Sequence, residues 1–232
     1  MIATARPTLL LVHGAWHGSW CWANLQAELI ARGRASRTVD LPSALRTPPP
    51  PGPLPGLHDD AEAVRTAIGA IGGPVAVVAH SYGGIPVTEA TAGIPQVTRL
   101  VYLAAYQLDR SENLLSFRDA SEPDLDVVDG LVPPTPNPRA TLYADAPPAE
   151  SARAAARLVP HSARCATDRI TRSGWHTIPS SYIVCDQDRT IPPAQQERMA
   201  TRAKAVHHLA SSHSPFLSKP GELADLLTTI TV

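Results

Sequence analysis

Three cysteines, Cys21, Cys165 and Cys185, are too few and too scattered for a disulfide framework or a zinc knuckle. No run approaches the roughly 18 apolar residues of a membrane span. The opening stretch MIATARPTLLLVHG is too short in its apolar part for a signal peptide and passes straight into a core-like strand. Neither sign of charge is in excess: 20 Lys and Arg stand against 21 Asp and Glu, a formal net charge of -1. That balance argues against a nucleic-acid surface or a polybasic membrane contact. Internal repeats are absent as well. What is left is a cytoplasmic globular protein, expected to form a single domain over residues 1–232, long enough to bury a full core. The heavy use of alanine, proline and arginine reads as the imprint of a GC-rich coding sequence rather than of function.

Strand-like and helix-like segments alternate, which predicts an α/β fold with a mostly parallel central sheet flanked by helices. The strands fall at 8–13, 34–40, 74–79, 98–103, 181–185 and 206–209, with helical spacing at 20–32, 58–71, 148–158, 192–202 and 222–230. TPPPPGPLPG at 47–56 can be neither helix nor central strand and is expected as an exposed, extended loop. Between 107 and 179 the pattern changes. An acidic, proline-rich stretch (DASEPDLDVVDGLVPPTPNP) gives way to a helix, and Leu142, Tyr143, Leu158, Val159 and Trp175 supply apolar material to pack. This segment is expected as a small cap, inserted after the sixth strand of the fold, over the sheet edge that carries the chemistry.

That chemistry is signalled by VVAHSYGG at 77–84. An apolar strand ends there, and Ala79-His80-Ser81-Tyr82-Gly83 nearly matches the G-x-S-x-G elbow on which a nucleophilic serine sits between strand and helix. The flanking positions must be small because strand and helix approach closely around a strained backbone. Ser81 is therefore the candidate nucleophile, and it needs a base. His213, in a loop of small residues, suits best. His80 is turned away by the elbow, His207 and His208 lie on a strand, and His161 and His176 belong to the cap, on the surface or facing substrate. The acid that would orient the base is Asp188, two residues beyond a strand end, with Asp186 and Asp109 as alternatives. Backbone N–H groups of Tyr82, after the nucleophile, and Ala15, freed to turn by Gly14, are the candidate oxyanion donors.

With these pieces in place the chain resembles the α/β-hydrolase fold group of small esterases and hydroxynitrile lyases, which includes plant methyl-ester hydrolases and bacterial relatives. The resemblance runs over LVHGAWHGSWCW, VVAHSYGG, LVYLAAY, YIVCDQDRTIPPAQQERMA and SSHSPFLSKP, essentially the whole chain. It implies Ser81 as nucleophile, Asp188 as acid, His213 as base, Ala15 and Tyr82 as oxyanion donors, and neither metal nor cofactor. Two departures stand out. Ala79 replaces the elbow's first glycine, and Ser214 follows His213 where hydroxynitrile lyases of this group carry a lysine that assists cyanide, which argues against cyanohydrin cleavage.

The expected function is a serine hydrolase of small carboxylic esters acting through an acyl-enzyme. A non-hydrolytic lyase, cyclase or decarboxylase of secondary metabolism on the same fold is the alternative, and a ligand-binding module descended from a hydrolase is a third reading. The expected partner is a small ester, with no nucleic acid or membrane, and a homodimer is left open. Trp16, Tyr143 and Trp175 are expected to face substrate, with Leu115, Phe117 and Leu142 shaping the pocket; Trp20 and Trp22 read as core.

Overall fold

A computed structural model describes residues 6–45, 51–117, 127 and 130–232. The apolar runs become β1 (Thr8–Val12), β2 (Ser36–Val39), β3 (Val75–His80) and β4 (Val97–Leu103), with α1 (Ala23–Ala31), α2 (Leu57–Gly69) and α3 (Gly84–Thr91) between them. An inserted segment carries α4 (Leu114–Phe117), β5 (Leu131–Val132), α5 (Pro148–Ala155), β6 (His161–Ser162) and α6 (Arg164–Thr167). The chain then returns through β7 (Ser180–Cys185), α7 (Pro193–Ala200), β8 (Ala205–Leu209), α8 (Pro215–Ser218) and α9 (Pro220–Ile230). Six strands form one sheet in the order β2-β1-β3-β4-β7-β8, every neighbouring pair parallel.

A strand buried on both faces needs no polar alternation, and its side chains divide by parity. Leu10 and Val12, Val75 and Val77, Leu100 and Tyr102, and Tyr182 and Val184 enter one core, covered by Leu57, Ala61, Val64 and Ile68 of α2 and by Ile85 of α3. Leu9 and Leu11, Ala76 and Val78, Val101 and Leu103, and Ile183 and Cys185 enter the other, covered by Leu25 and Leu29 of α1 and by Leu223 and Leu227 of α9. The three cysteines are free thiols buried in this packing.

The order reverses at β1, whose neighbours are β2 and β3. In sheets of this kind the carboxyl ends of the strands on either side of such a reversal leave a crevice for ligands. The insertion leaves the sheet after its fourth strand in chain order, not after a sixth, because this sheet has six strands in all. Helix ends also shift from the sequence reading. The segment predicted as helix from 20 begins as a 3-10 turn, Ser19–Trp22, and the one predicted to 158 ends at Ala155. Residues 47–50 of the proline-rich loop, and 119–126 with 128–129 of the acidic stretch, lie outside the described residues. Among the described residues no helix is long and apolar enough to cross a membrane.

Candidate active site

β3 ends at His80, a 3-10 turn takes Ser81–Gly83, and α3 starts at Gly84. Ser81 sits at φ 53°, in the left-handed region that side chains rarely enter. Three glycines leave the room it needs. A Cβ on Gly14 would lie 2.8 Å from Ser81 Cβ, one on Gly83 would lie 2.5 Å from the carbonyl oxygen of His13, and one on Gly84 2.5 Å from that of Tyr106. Ala79, where the motif has its first glycine, is fully buried in the core with Val77. The Ser81 hydroxyl opens onto a cavity and makes no hydrogen bond among the described residues.

The loop after β8 carries His213, buried, with Nδ1 2.7 Å from Asp188 Oδ2. That carboxylate takes further donors: the Thr190 N–H at 2.7 Å and the Ile191 N–H at 3.0 Å on Oδ1, and Gln196 Nε2 at 2.8 Å on Oδ2. Its orientation is fixed, and with Nδ1 engaged the imidazole has Nε2 left for a second partner. The alternative acids are committed elsewhere: Asp186 to His208 at 2.8 Å, and Asp109 to Ser173 at 2.8 Å and His176 at 3.0 Å. His80 links the turn of Ser81 to the loop of His213. It precedes Ser81 in the chain, its ring centroid lies 4.6 Å from that of His213, and its Nε2–H donates to the His213 carbonyl at 2.9 Å. Burial, followed by the neighbouring His213 and His17, pushes its pKa well below the usual histidine value, so it is a neutral structural link.

The loop after β1 is set by two more histidines. The Leu41 N–H donates to His13 Nε2 at 3.0 Å, which places the proton on Nδ1, and Nδ1–H donates to the Gly14 carbonyl at 2.8 Å. In a trans peptide C=O and N–H point opposite ways, so anchoring the Gly14 carbonyl turns the Ala15 N–H away from His13. His17 does the same one residue on. Its Nδ1–H donates to the Ala15 carbonyl at 2.7 Å, and its Nε2 accepts from the Tyr143 hydroxyl at 2.7 Å. Burial lowers the pKa of both rings, that of His17 to about 3, so this pattern of one donor and one acceptor per ring holds at neutral pH.

Ser81 shares its cavity, of about 100 Å³, with Ala15, Trp16, Tyr82, Leu114, Val132, His161 and Ile191. Trp16 is part of the wall, and its indole N–H donates to the Val132 carbonyl at 3.2 Å, tying loop to insertion. Tyr143 and Trp175 do not line this cavity. The Tyr143 hydroxyl is spent on His17, and the Trp175 indole donates to the Leu108 carbonyl at 2.9 Å beside His176. A wider cleft of about 550 Å³ lies behind the loop, between Asp40, Trp20 and Arg157, and includes neither Ser81 nor His213.

Sequence reasoning missed Gln196 and Asp60. Gln196 sits in a helix with no motif to mark it. Asp60 is fully buried and accepts from the Tyr82 hydroxyl at 2.7 Å, the Ser43 hydroxyl at 2.5 Å and the Ser43 N–H at 3.0 Å. Burial raises its pKa to about 6 against those hydrogen bonds. An acid on the apolar face of α2, beside Leu57, Ala61 and Val64, was the available signal. Among the described residues no group of three or more His, Cys, Asp or Glu side chains converges as a metal site would.

Comparison with known proteins gives a consistent picture. A family model described as "Alpha/beta hydrolase family" matches residues 9–226. The alpha/beta hydrolase nvfD of Aspergillus novofumigatus is 27% identical over 235 residues, covering 93% of this chain and 92% of that protein. Methyl jasmonate esterase 1 of Vitis vinifera is 28% identical over 250 residues, covering 95% of each. The crystal structure of the methylesterase MES16 from Arabidopsis superposes with a TM-score of 0.81 at 24% identity, over 97% of this chain and 98% of that one.

Proposed function

The chain belongs to the alpha/beta hydrolase family, and on that premise we propose that it is a serine hydrolase that cleaves small carboxylic esters through an acyl-enzyme. The observation that carries the reading is Ser81 held at φ 53° on the strand-to-helix turn, facing a cavity, with a buried His213–Asp188 pair fastened to the same turn through His80. With Nδ1 held by Asp188, His213 has Nε2 left to meet the Ser81 hydroxyl; catalytic hydrogen bonds commonly tighten on binding substrate. His213 takes the hydroxyl proton as Ser81 attacks the ester carbonyl, and Asp188 stabilises the imidazolium and its orientation. The tetrahedral oxyanion is received by the N–H groups of Ala15 and Tyr82. His213 then returns the proton to the leaving alcohol, and water repeats the sequence on the acyl-enzyme.

The named relatives include plant esterases of methyl esters, which supports an ester substrate here. An activated ester should release a burst of alcohol that Ser81→Ala abolishes, and a fluorophosphonate should label Ser81 in the native protein. Full retention of ester turnover in Ser81→Ala would refute the mechanism. Inertness toward the probe, together with turnover of a different carbonyl compound, would move the protein to the lyase or decarboxylase chemistry of the same fold.

A further inference from the structure

Ser81 lies at φ 53°, and a residue in that region stays there only when its surroundings over-determine it. The chain around it offers little to hold. Gly83 and Gly84 have no side chain, and the Ser81 hydroxyl is kept for the chemistry. Tyr82 is the one side chain by which the turn can be fastened. Its ring is buried, and its hydroxyl donates at 2.7 Å to Oδ2 of Asp60, on α2 and 22 residues back in the chain. The acceptor is seated as firmly. Ser43 gives Asp60 its N–H at 3.0 Å on Oδ1 and its hydroxyl at 2.5 Å on Oδ2. Ser43 is held in turn from the inserted segment, whose Ser162 N–H donates to the Ser43 carbonyl at 2.9 Å. The donors to Asp60 are all neutral, the Cys165 thiol at 3.8 Å included. A carboxylate in that place, on the apolar face of α2 beside Leu57, Ala61 and Val64, costs more than a leucine would. Burial raises its pKa to about 6, which leaves it ionised and purely an acceptor at neutral pH, while burial keeps the Tyr82 phenol protonated as its donor.

What this tether governs is the peptide between Ser81 and Tyr82. Its carbonyl accepts from the Tyr106 N–H at 3.1 Å, so in a trans peptide its N–H, that of Tyr82, faces the opposite way. One hydrogen bond on the carbonyl leaves the peptide plane free to rock about the line of that bond. A second fixed point, the Tyr82 Cα held through its own ring, takes that freedom away. We infer that Asp60 is a positioning residue for the proposed oxyanion site: it holds the Tyr82 hydroxyl, and through that ring the direction of the Tyr82 N–H. The inference rests on the ester-hydrolase reading and adds to it a residue that meets no reacting atom. An oxyanion donor works by being aimed before the charge develops. Loosening it therefore slows turnover rather than weakening the binding of substrate. The Ala15 side of the site has its histidine supports, and Asp60 is their counterpart on the nucleophile side.

The test is steady-state kinetics on p-nitrophenyl butyrate, together with inhibition by the trifluoromethyl ketone of the same acyl chain. The carbonyl oxygen of that ketone becomes an oxyanion when Ser81 Oγ adds to the carbon and His213 takes the proton. Tyr82→Phe keeps the ring and the N–H and removes only the tether; Asp60→Leu removes it from the other end. Each should lower kcat about tenfold, less than the 10²–10³ of a missing donor, with KM near the native value, and should weaken the inhibition by a similar factor. The double variant should be no slower than Tyr82→Phe, because both changes break the same bond. Asp60→Asn, whose amide can still bond the Tyr82 hydroxyl, should keep more activity than Asp60→Leu. Tyr82→Phe and Asp60→Asn barely alter the packed volume, so they carry the test whether or not Asp60→Leu folds. A native kcat in Tyr82→Phe, a rise in KM alone, or a lower kcat with inhibition unchanged overturns the inference and leaves the hydrolase reading standing. A native protein that neither turns over the ester nor takes the fluorophosphonate label sinks the hydrolase reading, and the inference with it.

Discussion

His17 shows how a single buried ring can matter for both stability and rate. It stands between the Tyr143 hydroxyl of the inserted segment and the Ala15 carbonyl of the loop that would hold the oxyanion, with both hydrogen bonds at 2.7 Å. Tyr143→Phe removes one hydroxyl and leaves His17 Nε2 buried without a donor, a loss of about 1–3 kcal/mol. The same change frees the ring that holds the Ala15 carbonyl, and so loosens from its far side the residue whose N–H is turned by His13. Because the donor is loosened rather than deleted, the loss in kcat should be about tenfold, less than the 10²–10³ of a missing oxyanion donor, with KM nearly unchanged. Steady-state kinetics and thermal unfolding of the variant check both parts; an unaltered kcat would mean that the Ala15 N–H needs no such support.

The turn from β3 into α3 depends on the absence of side chains more than on any contact. A Cβ at Gly83 would meet the carbonyl oxygens of His13 at 2.5 Å and Val12 at 3.0 Å, backbone atoms that cannot swing aside. Gly83→Ala should therefore push α3 away from β1, destabilise by about 1–3 kcal/mol and lower activity about 10²-fold through a shifted Ser81. Gly69→Ala, at the end of α2 with nothing within 4 Å of its Cβ position, is the control and should hold or raise stability. Thermal melts of the two variants settle the contrast. The sheet strands were legible in sequence because a run such as VAVVA, buried on both faces, has no polar interruption. Ser81, Asp188 and His213 could be singled out because each follows a strand end. β5 and β6 could not be seen, since strands of 2 residues have no period to read. Nor could the wall around Ser81, because what sets His161 beside Tyr82, ring centroids 4.6 Å apart, is tertiary pairing far along the chain. Tyr143 was recognised as apolar material of the cap, but its hydroxyl's partner lies 126 residues away.

Taken over the whole molecule, the buried histidines make the fold sensitive to acid. His13, His17, His80 and His161 all have pKa values pushed down by burial, His17 and His161 to about 3. Below pH ~6.5 the unfolded chain protonates these rings while the native protein does not, so the unfolded state binds more protons and stability falls as pH falls. Each ring contributes about 1.4 kcal/mol per pH unit in that window. Asp60, raised to about 6 by burial, has the opposite sign between its ordinary value of 3.8 and 6, where the native state keeps a proton that the unfolded state gives up. His208, exposed and raised by its hydrogen bond to Asp186, has the same sign as Asp60, and these two against the four buried rings leave a net loss. The melting temperature should be level from pH 8 to 7 and drop steeply below pH 6; a flat profile from pH 7 to 5 would show that these rings titrate normally in the native state. The three cysteines add a different consequence. Burial raises the pKa of every one of them, that of Cys185 to about 12, so almost no thiolate is on offer while the fold is closed. Alkylating reagents will modify this protein at the pace at which it breathes, and because Cys21, in the turn leading into α1, and Cys165, in the inserted segment, belong to the cores on opposite faces of the sheet, the two sulfurs time the opening of different halves of the molecule.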